Sequence, residues 1–223
     1  MDAVDKNPWI NLPIAAPFVL NDDAEKVEVF NRTASESHRY HIELLPEPFL
    51  GVPTAPIVLL NLNPGYDQKE ERFHHLDDYF QRVSLANLAH KEQDYPFYFL
   101  EPGKGSPGHI WWQKRLRELT DLYGNRVVAR NVLCLEFFPY HSIRFGNKTP
   151  TVPSQQYTFA LLRAALKRNS VVIAMRALDK WIANVPELGD YDVHRLNSQQ
   201  AVYVTATNCP TGFAEACARL RKL

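Results

Sequence analysis

This chain of 223 residues is short of cysteine, of net charge and of long apolar runs. Cys134, Cys209 and Cys217 are the three cysteines and form no CxxC pair. That odd, scattered set suits neither a disulfide framework nor a structural zinc site, so all three read as reduced thiols. Lys and Arg total 25 and Asp and Glu total 25, for a formal net charge of +0. No global field draws the molecule to nucleic acid or acidic lipid, and any such binding must rest on a local basic patch. No apolar run is long enough to span a bilayer, and the opening MDAVDKNPWINLPIAAPF carries acids and prolines where a secretory signal has basic residues and an apolar stretch. The expectation is a cytoplasmic, monomeric protein with no membrane partner. Metal-binding and phosphate-binding signatures are also missing: His74-His75 are adjacent and diverge, no HExxH accompanies them, and the glycines of EPGKGSPGH do not follow GxxxxGK[ST]. No metal is expected.

What is present is an ordinary globular composition, 45% hydrophobic and 22% charged, in a chain long enough to bury a core. Four apolar runs read as strands: Ile57 to Leu62, Val127 to Leu135, Val171 to Met175 and Val202 to Thr207. They are short and lack the polar alternation of a half-exposed sheet. Helical spacing links Trp112, Leu116, Leu119 and Tyr123, then Tyr157, Leu161 and Ala164 behind Ser154, then Leu178, Trp181 and Ile182 before Pro186, and last Phe213, Cys217 and Leu220. Strands alternating with helices imply parallel pairing through crossovers, hence an α/β domain of three layers, α/β/α, around a mostly parallel four-stranded sheet. Residues 1–50, dense in proline, read as an appendage on the core with a helix around Asp23 to Phe30. Residues 51–223 read as one domain with an insert at about 68–109, whose YPFYF and EPGKGSPGH segments suit a surface loop pinned by aromatics or, in a sharper reading, a loop over the cleft with Lys104 on a phosphate.

Ligands of such sheets bind beyond the carboxyl ends of the strands. The loops there are Asn63-Pro64-Gly65-Tyr66-Asp67, Glu136 to Ser142, Arg176, and Asn208 to Gly212. Taken in order, LLNLNPGYD, ARNVLCLEFFPY, VVIAMRALDKW and TATNCPTGF resemble the motif blocks of the uracil-DNA glycosylase superfamily. The Asn-Pro-Gly form is similar to the mismatch-specific and thymine-DNA glycosylase branch. The last block departs from the family, since Cys209-Pro210-Thr211 replace its usual motif and Asn208 sits one place early; Met175 stands where the family usually has glycine. The resemblance implies a uracil-DNA glycosylase-like fold, DNA or a nucleobase-containing ligand as partner, and Asn131 as the residue that reads the base. The iron–sulfur cysteines of some branches have no counterpart here, and no cofactor is expected.

Hydrolysis of a base–sugar bond builds positive charge on the sugar and negative charge on the departing base. Within the resembled site Asn63, flanked by Pro64 and Gly65, would position water, although an amide cannot take its proton; a base, if there is one, would be Asp67 or Glu136. Tyr66, Phe73, Phe137 or Phe138 would stack on the base. Asn208 and the Thr211 hydroxyl would meet developing charge at the start of the last helix, and His141, in an edge loop, could donate a proton. Two further readings stand beside the glycosylase: a member that kept the fold and binds nucleic acid, nucleotide or protein without catalysis, and a small-molecule enzyme on the same architecture.

Overall fold

The computed structural model describes residues 6–146, 148–198 and 200–222. The chain is α/β, built on a five-stranded mixed sheet in the order β1-β3-β2-β4-β5, where β1 is Phe49–Leu50, β2 Ile57–Leu60, β3 Val132–Leu135, β4 Val171–Ala174 and β5 Val193–Arg195. β2, β3, β4 and β5 run parallel, and β1 lies antiparallel on β3. The register pairs Ile57 with Val132 and Val171, and Leu60 with Leu135 and Ala174.

The apolar runs are continuous because both faces of the sheet are covered. Ile57, Leu59, Val132, Cys134, Val171 and Ile173 enter one hydrophobic cluster, while Val58, Leu60, Leu133, Leu135, Val172 and Ala174 enter the other. The first cluster is closed by Phe80 and Val83 of α3 (Asp78–Leu88), Trp112 of α4 (Pro107–Arg115), Leu119 of α5 (Arg117–Tyr123), Val128 of α6 (Asn125–Asn131) and Phe213 of α9 (Pro210–Leu220). The second takes Val27 of α1 (Asn21–Thr33), Phe159 and Leu162 of α7 (Gln155–Lys167) and Trp181 of α8 (Leu178–Asn184). Among the described residues no helix is long and apolar enough to cross a membrane.

The structure corrects the sequence reading in four places. The sheet has five strands, not four, and is mixed: four run parallel, as a mostly parallel sheet requires, and β1 adds an antiparallel edge. Only the second half of Val127 to Leu135 is strand: Gly124, at φ +83°, ends α5, and the chain resumes as α6 before β3. Val202 to Thr207 is irregular. Val202 and Val204 are buried on alternate positions as a strand's would be, but the Val204 N–H goes to the Arg115 carbonyl at the end of α4, and the sheet edge is taken by the polar segment Val193–Arg195. The segment 95–100 is no surface loop, for Phe97, Tyr98, Phe99 and Leu100 lie in the core. Lys104 is occupied nearby, 3.9 Å from Glu101 and 3.6 Å above the Tyr79 ring.

Residues 6–50 are woven into the second cluster through Trp9, Val19, Leu20, Val27, Tyr40 and Phe49, and they supply β1. Gly51, at φ +104°, follows directly. A Cβ there would stand 2.2 Å from the Val132 carbonyl oxygen, so only glycine lets this turn approach β3 so closely.

Candidate active site

Past their last paired residues, β2 and β3 stay together. Leu135 O accepts from Asn61 N, Leu62 O from Phe138 N, Pro64 O from Ser142 N, and Ser142 O from Tyr66 N, at 2.9 to 3.2 Å. The Asn-Pro-Gly turn and the Glu136 to Ser142 loop are therefore one zipped ledge at the carboxyl end of the sheet. Beside it opens a cleft of about 750 Å³, lined by Asn63, Pro64, Gly65, Tyr66 and Asp67 from the first loop, Glu136, His141 and Ser142 from the second, and Glu47, Asn61, Glu70, Phe99, Trp111, Trp112, Arg115 and Arg176 from elsewhere. A larger concavity of about 880 Å³, between α1 and Gly146, Lys148, Pro150 and Thr151, is an open groove apart from the strand ends and, among the described residues, brings no buried carboxyl to its wall.

Three carboxyls of the cleft are buried: Glu47, Glu70 and Glu136. Glu136 follows β3 directly. Its Oε1 accepts from Asn61 Nδ2 at 2.9 Å, while its Oε2 is buried without a partner. Burial pushes its pKa up to about 8, against the opposing pull of the Asn61 bond and the Arg176 charge, so at neutral pH it carries its proton. Glu70, at the end of the turn Gln68–Glu70, faces the start of α4, where Gly108 N–H donates to its Oε1; burial still raises it to about 7. Glu47 is raised well above the carboxylate range by burial and by the charges of Glu70 and Glu136. Around this acidic floor stand five cationic lining residues, Lys69, Lys114, Arg115, Arg144 and Arg176. On a protein of net charge +0 that is a local concentration of positive charge suited to phosphate groups. The Arg115 guanidinium lies 4.4 Å from the Trp111 ring centroid and 4.9 Å from that of Tyr203. Arg176 is followed by Ala177 in the left-handed region, φ +53°, an unfavourable conformation for alanine placed where β4 leaves the sheet beside the cleft.

Of the residues singled out from sequence, the structure gathers Asn63, Pro64, Gly65, Tyr66, Asp67 and His141 in this cleft. Asn63 spends its Nδ2 on Pro64 O, Tyr140 O and Ser142 Oγ, leaving Oδ1 as the atom for a water. Tyr66 stacks on His41, ring centroids 3.4 Å apart, and its hydroxyl donates to Glu71. One ring face is therefore already covered. Asp67 is exposed and accepts from Lys69 N.

The other residues lie elsewhere. Asn131 ends α6 at the amino end of β3, its Nδ2 bonded to Val127 O, level with the start of β2. Asn63 lies seven residues further along, on the order of 20 Å away at the strand rise. Asn208 is a loop staple: its Nδ2 donates to Ala201 O and Tyr203 O, and its Oδ1 accepts from Ser198 N. Thr211 is exposed at the start of α9 and does not line the cleft. Phe138 is fully buried, Phe137 packs on Phe159 and Trp181, and Phe73 lies under the Arg72 guanidinium. The aromatic walls are instead Trp111, Trp112, Phe99, Phe145 and Tyr66.

Glu136 was legible as the first polar residue after a run of apolar ones and was expected as a possible base, whereas its burial favours the protonated form. Glu47, Asn61 and Glu70 carry no local signal, because only the tertiary fold buries them together. The same holds for Glu47, His74 and His141, whose ligand-capable atoms lie within 4.8 Å of one another although the residues are far apart in sequence. No protein-family model matches this chain, and no curated protein or solved structure does either.

Proposed function

We propose that this cleft hydrolyses an N-glycosidic bond in a nucleobase-containing ligand, as a uracil-DNA glycosylase-like enzyme on an α/β/α arrangement, with DNA carrying a uracil or a related damaged or mismatched base as the substrate class. The observation that carries the reading is Glu136: a protonated carboxyl at the carboxyl end of a parallel strand, held by Asn61, with one buried oxygen free. A departing base leaves as an anion, and a neutral acid beside it can supply the proton that makes it a good leaving group. Asn63 Oδ1 would orient water, the exposed Asp67 carboxylate at the lip would favour the positive charge growing on the sugar, and the cationic rim would hold the backbone phosphates. Trp111 offers a stacking surface for the extruded base. Asn131 has no part in this scheme.

One observation favours the non-catalytic alternative, a nucleic-acid or nucleotide binder: Asn63 Nδ2 is already taken by the ledge. Incubation with oligonucleotides containing uracil, hypoxanthine or mismatched thymine, followed by alkali, separates the two. Strand breaks at the base that disappear in Glu136→Gln support the enzyme; binding without breaks in any oligonucleotide supports the binder.

A further inference from the structure

At the inner end of the cleft, three buried side chains from separate segments meet: Glu47 before β1, His74 of α2 (Glu71–Leu76), and His141 of the ledge. Their hydrogen bonds leave the group unbalanced. His141 Nδ1 lies 2.8 Å from Gly65 O, and His141 Nε2 lies 3.0 Å from Leu45 O. A neutral imidazole has one N–H, so it satisfies one of these carbonyls and turns a lone pair toward the other. Two acceptors at that distance repel unless something positive lies between or beside them. An imidazolium would serve, but full burial disfavours a charged ring. His74 has the complementary problem. Its Nδ1 accepts from Leu45 N at 3.0 Å, which puts the ring proton on Nε2, and that buried Nε2 has no partner. Glu47 is the nearby carboxyl, with Tyr98 O–H donating to its Oε1 at 3.2 Å, and it would give up its proton on binding a cation.

A metal ion resolves all three. If Nδ1–H of His141 donates to Gly65 O, the ring is fixed in the tautomer that offers Nε2 to a metal, the usual support of a ligating histidine. Leu45 O, 3.0 Å from His141 Nε2, then faces a ring lone pair instead of an N–H, and a cation beside them would offset that repulsion. We propose that this corner binds one divalent transition-metal ion, liganded by the Glu47 carboxylate and His141 Nε2 with the Leu45 carbonyl beside them, and that His74 Nε2–H donates to a water on that ion. Imidazole with carboxylate and carbonyl oxygen suits manganese, iron(II) or zinc better than magnesium or calcium. Both Glu47 and His141 also line the cleft, so the ion is reachable from it. The inference is independent of the glycosylase reading.

The test uses the full chain, stripped with chelator and dialysed, then given manganese, zinc or cobalt(II) separately. One ion per chain by elemental analysis and a rise in melting temperature of about 5 °C near saturation are expected. Glu47→Gln and His141→Gln abolish both, His74→Gln weakens affinity by about tenfold or more, and Asp192→Asn, at an exposed carboxylate of the separate Asp192–His194–Glu215 group, changes nothing. No retained ion and no thermal shift with any of the three metals overturns the proposal, and so does binding that survives in Glu47→Gln and His141→Gln. Should those variants not fold, manganese-induced broadening of the His141 and His74 ring resonances in the unaltered protein decides: selective broadening supports the site and its absence overturns it.

Discussion

Glu136, Asn131 and Asn208 separate chemistry from scaffolding at the level of single side chains. In the proposed reaction Glu136 would serve as an acid only while protonated, so the proposed activity is expected to hold below pH 8 and fall as pH rises through about 8. Glu136→Gln keeps the Asn61 contact in shape but has no proton to give; a loss of about 10² to 10⁴ in kcat, with the alkaline limb gone, is the outcome to look for in single-turnover pH profiles. Asn131→Ala should leave kcat and KM unchanged, because its amide serves Val127 O at the other end of β3. A large loss there would restore it as a base reader and undo the site drawn here. Asn208→Ala strips the loop of bonds to Ser198, Ala201 and Tyr203 and should cost about 1–2 kcal/mol in urea unfolding, with little effect on chemistry.

Secondary-structure elements follow the apolar pattern wherever both faces of a strand are buried, as in Ile57–Leu60 and Val171–Ala174, and depart from it where packing overrides local preference. Val127-Val128 has strand-like composition but completes a helix, because Gly124 lets the chain restart and Val128 and Ala129 then face the core. Val193–Arg195 is strand despite its His and Arg, since an edge strand needs only one neighbour, here β4. β1, two residues long, had no periodicity to read. Its position depends on Gly51, and Gly51→Ala, with a positive φ and a Cβ 2.2 Å from Val132 O, should destabilise the protein by about 3 kcal/mol, measured by denaturant unfolding. A neutral result would mean that β1 does not lie against β3 as described.

For the molecule as a whole, the buried carboxyls make stability depend on pH in the direction opposite to that of an ordinary paired carboxylate. Glu70 and Glu136 have folded-state pKa values of about 7 and about 8, above the ordinary value of 4.5 that they recover on unfolding. The folded chain therefore binds their protons more tightly, and this stabilisation is fully present below pH 4.5 and lost as pH rises through 7 and 8. Above the range where the histidines His74, His90, His109 and His141, lowered by burial, take up protons on unfolding, the melting temperature in chelator is expected to fall, between pH 7.5 and 8.5, and Glu136→Gln should flatten part of that slope. A melting temperature that rises across this interval would contradict the burial of both groups. The five cationic lining residues make a further whole-molecule expectation: affinity for a single-stranded oligonucleotide should weaken steeply with salt, despite the formal net charge of +0.

The amino-acid sequence by itself determined the α/β class, the three central strands and most of the helices, because these follow from local periodicity and from where proline and glycine interrupt it. It also marked the Asn63 turn and the loop after β3, since polar residues bunched after an apolar run point to a strand end. Which polar groups share a cavity was decided only by the tertiary structure. Register sets Asn131 and Asn63 at opposite ends of neighbouring strands. Burial favours the protonated form of Glu136, and chain crossings bring Glu47, His74 and His141 within reach of one another.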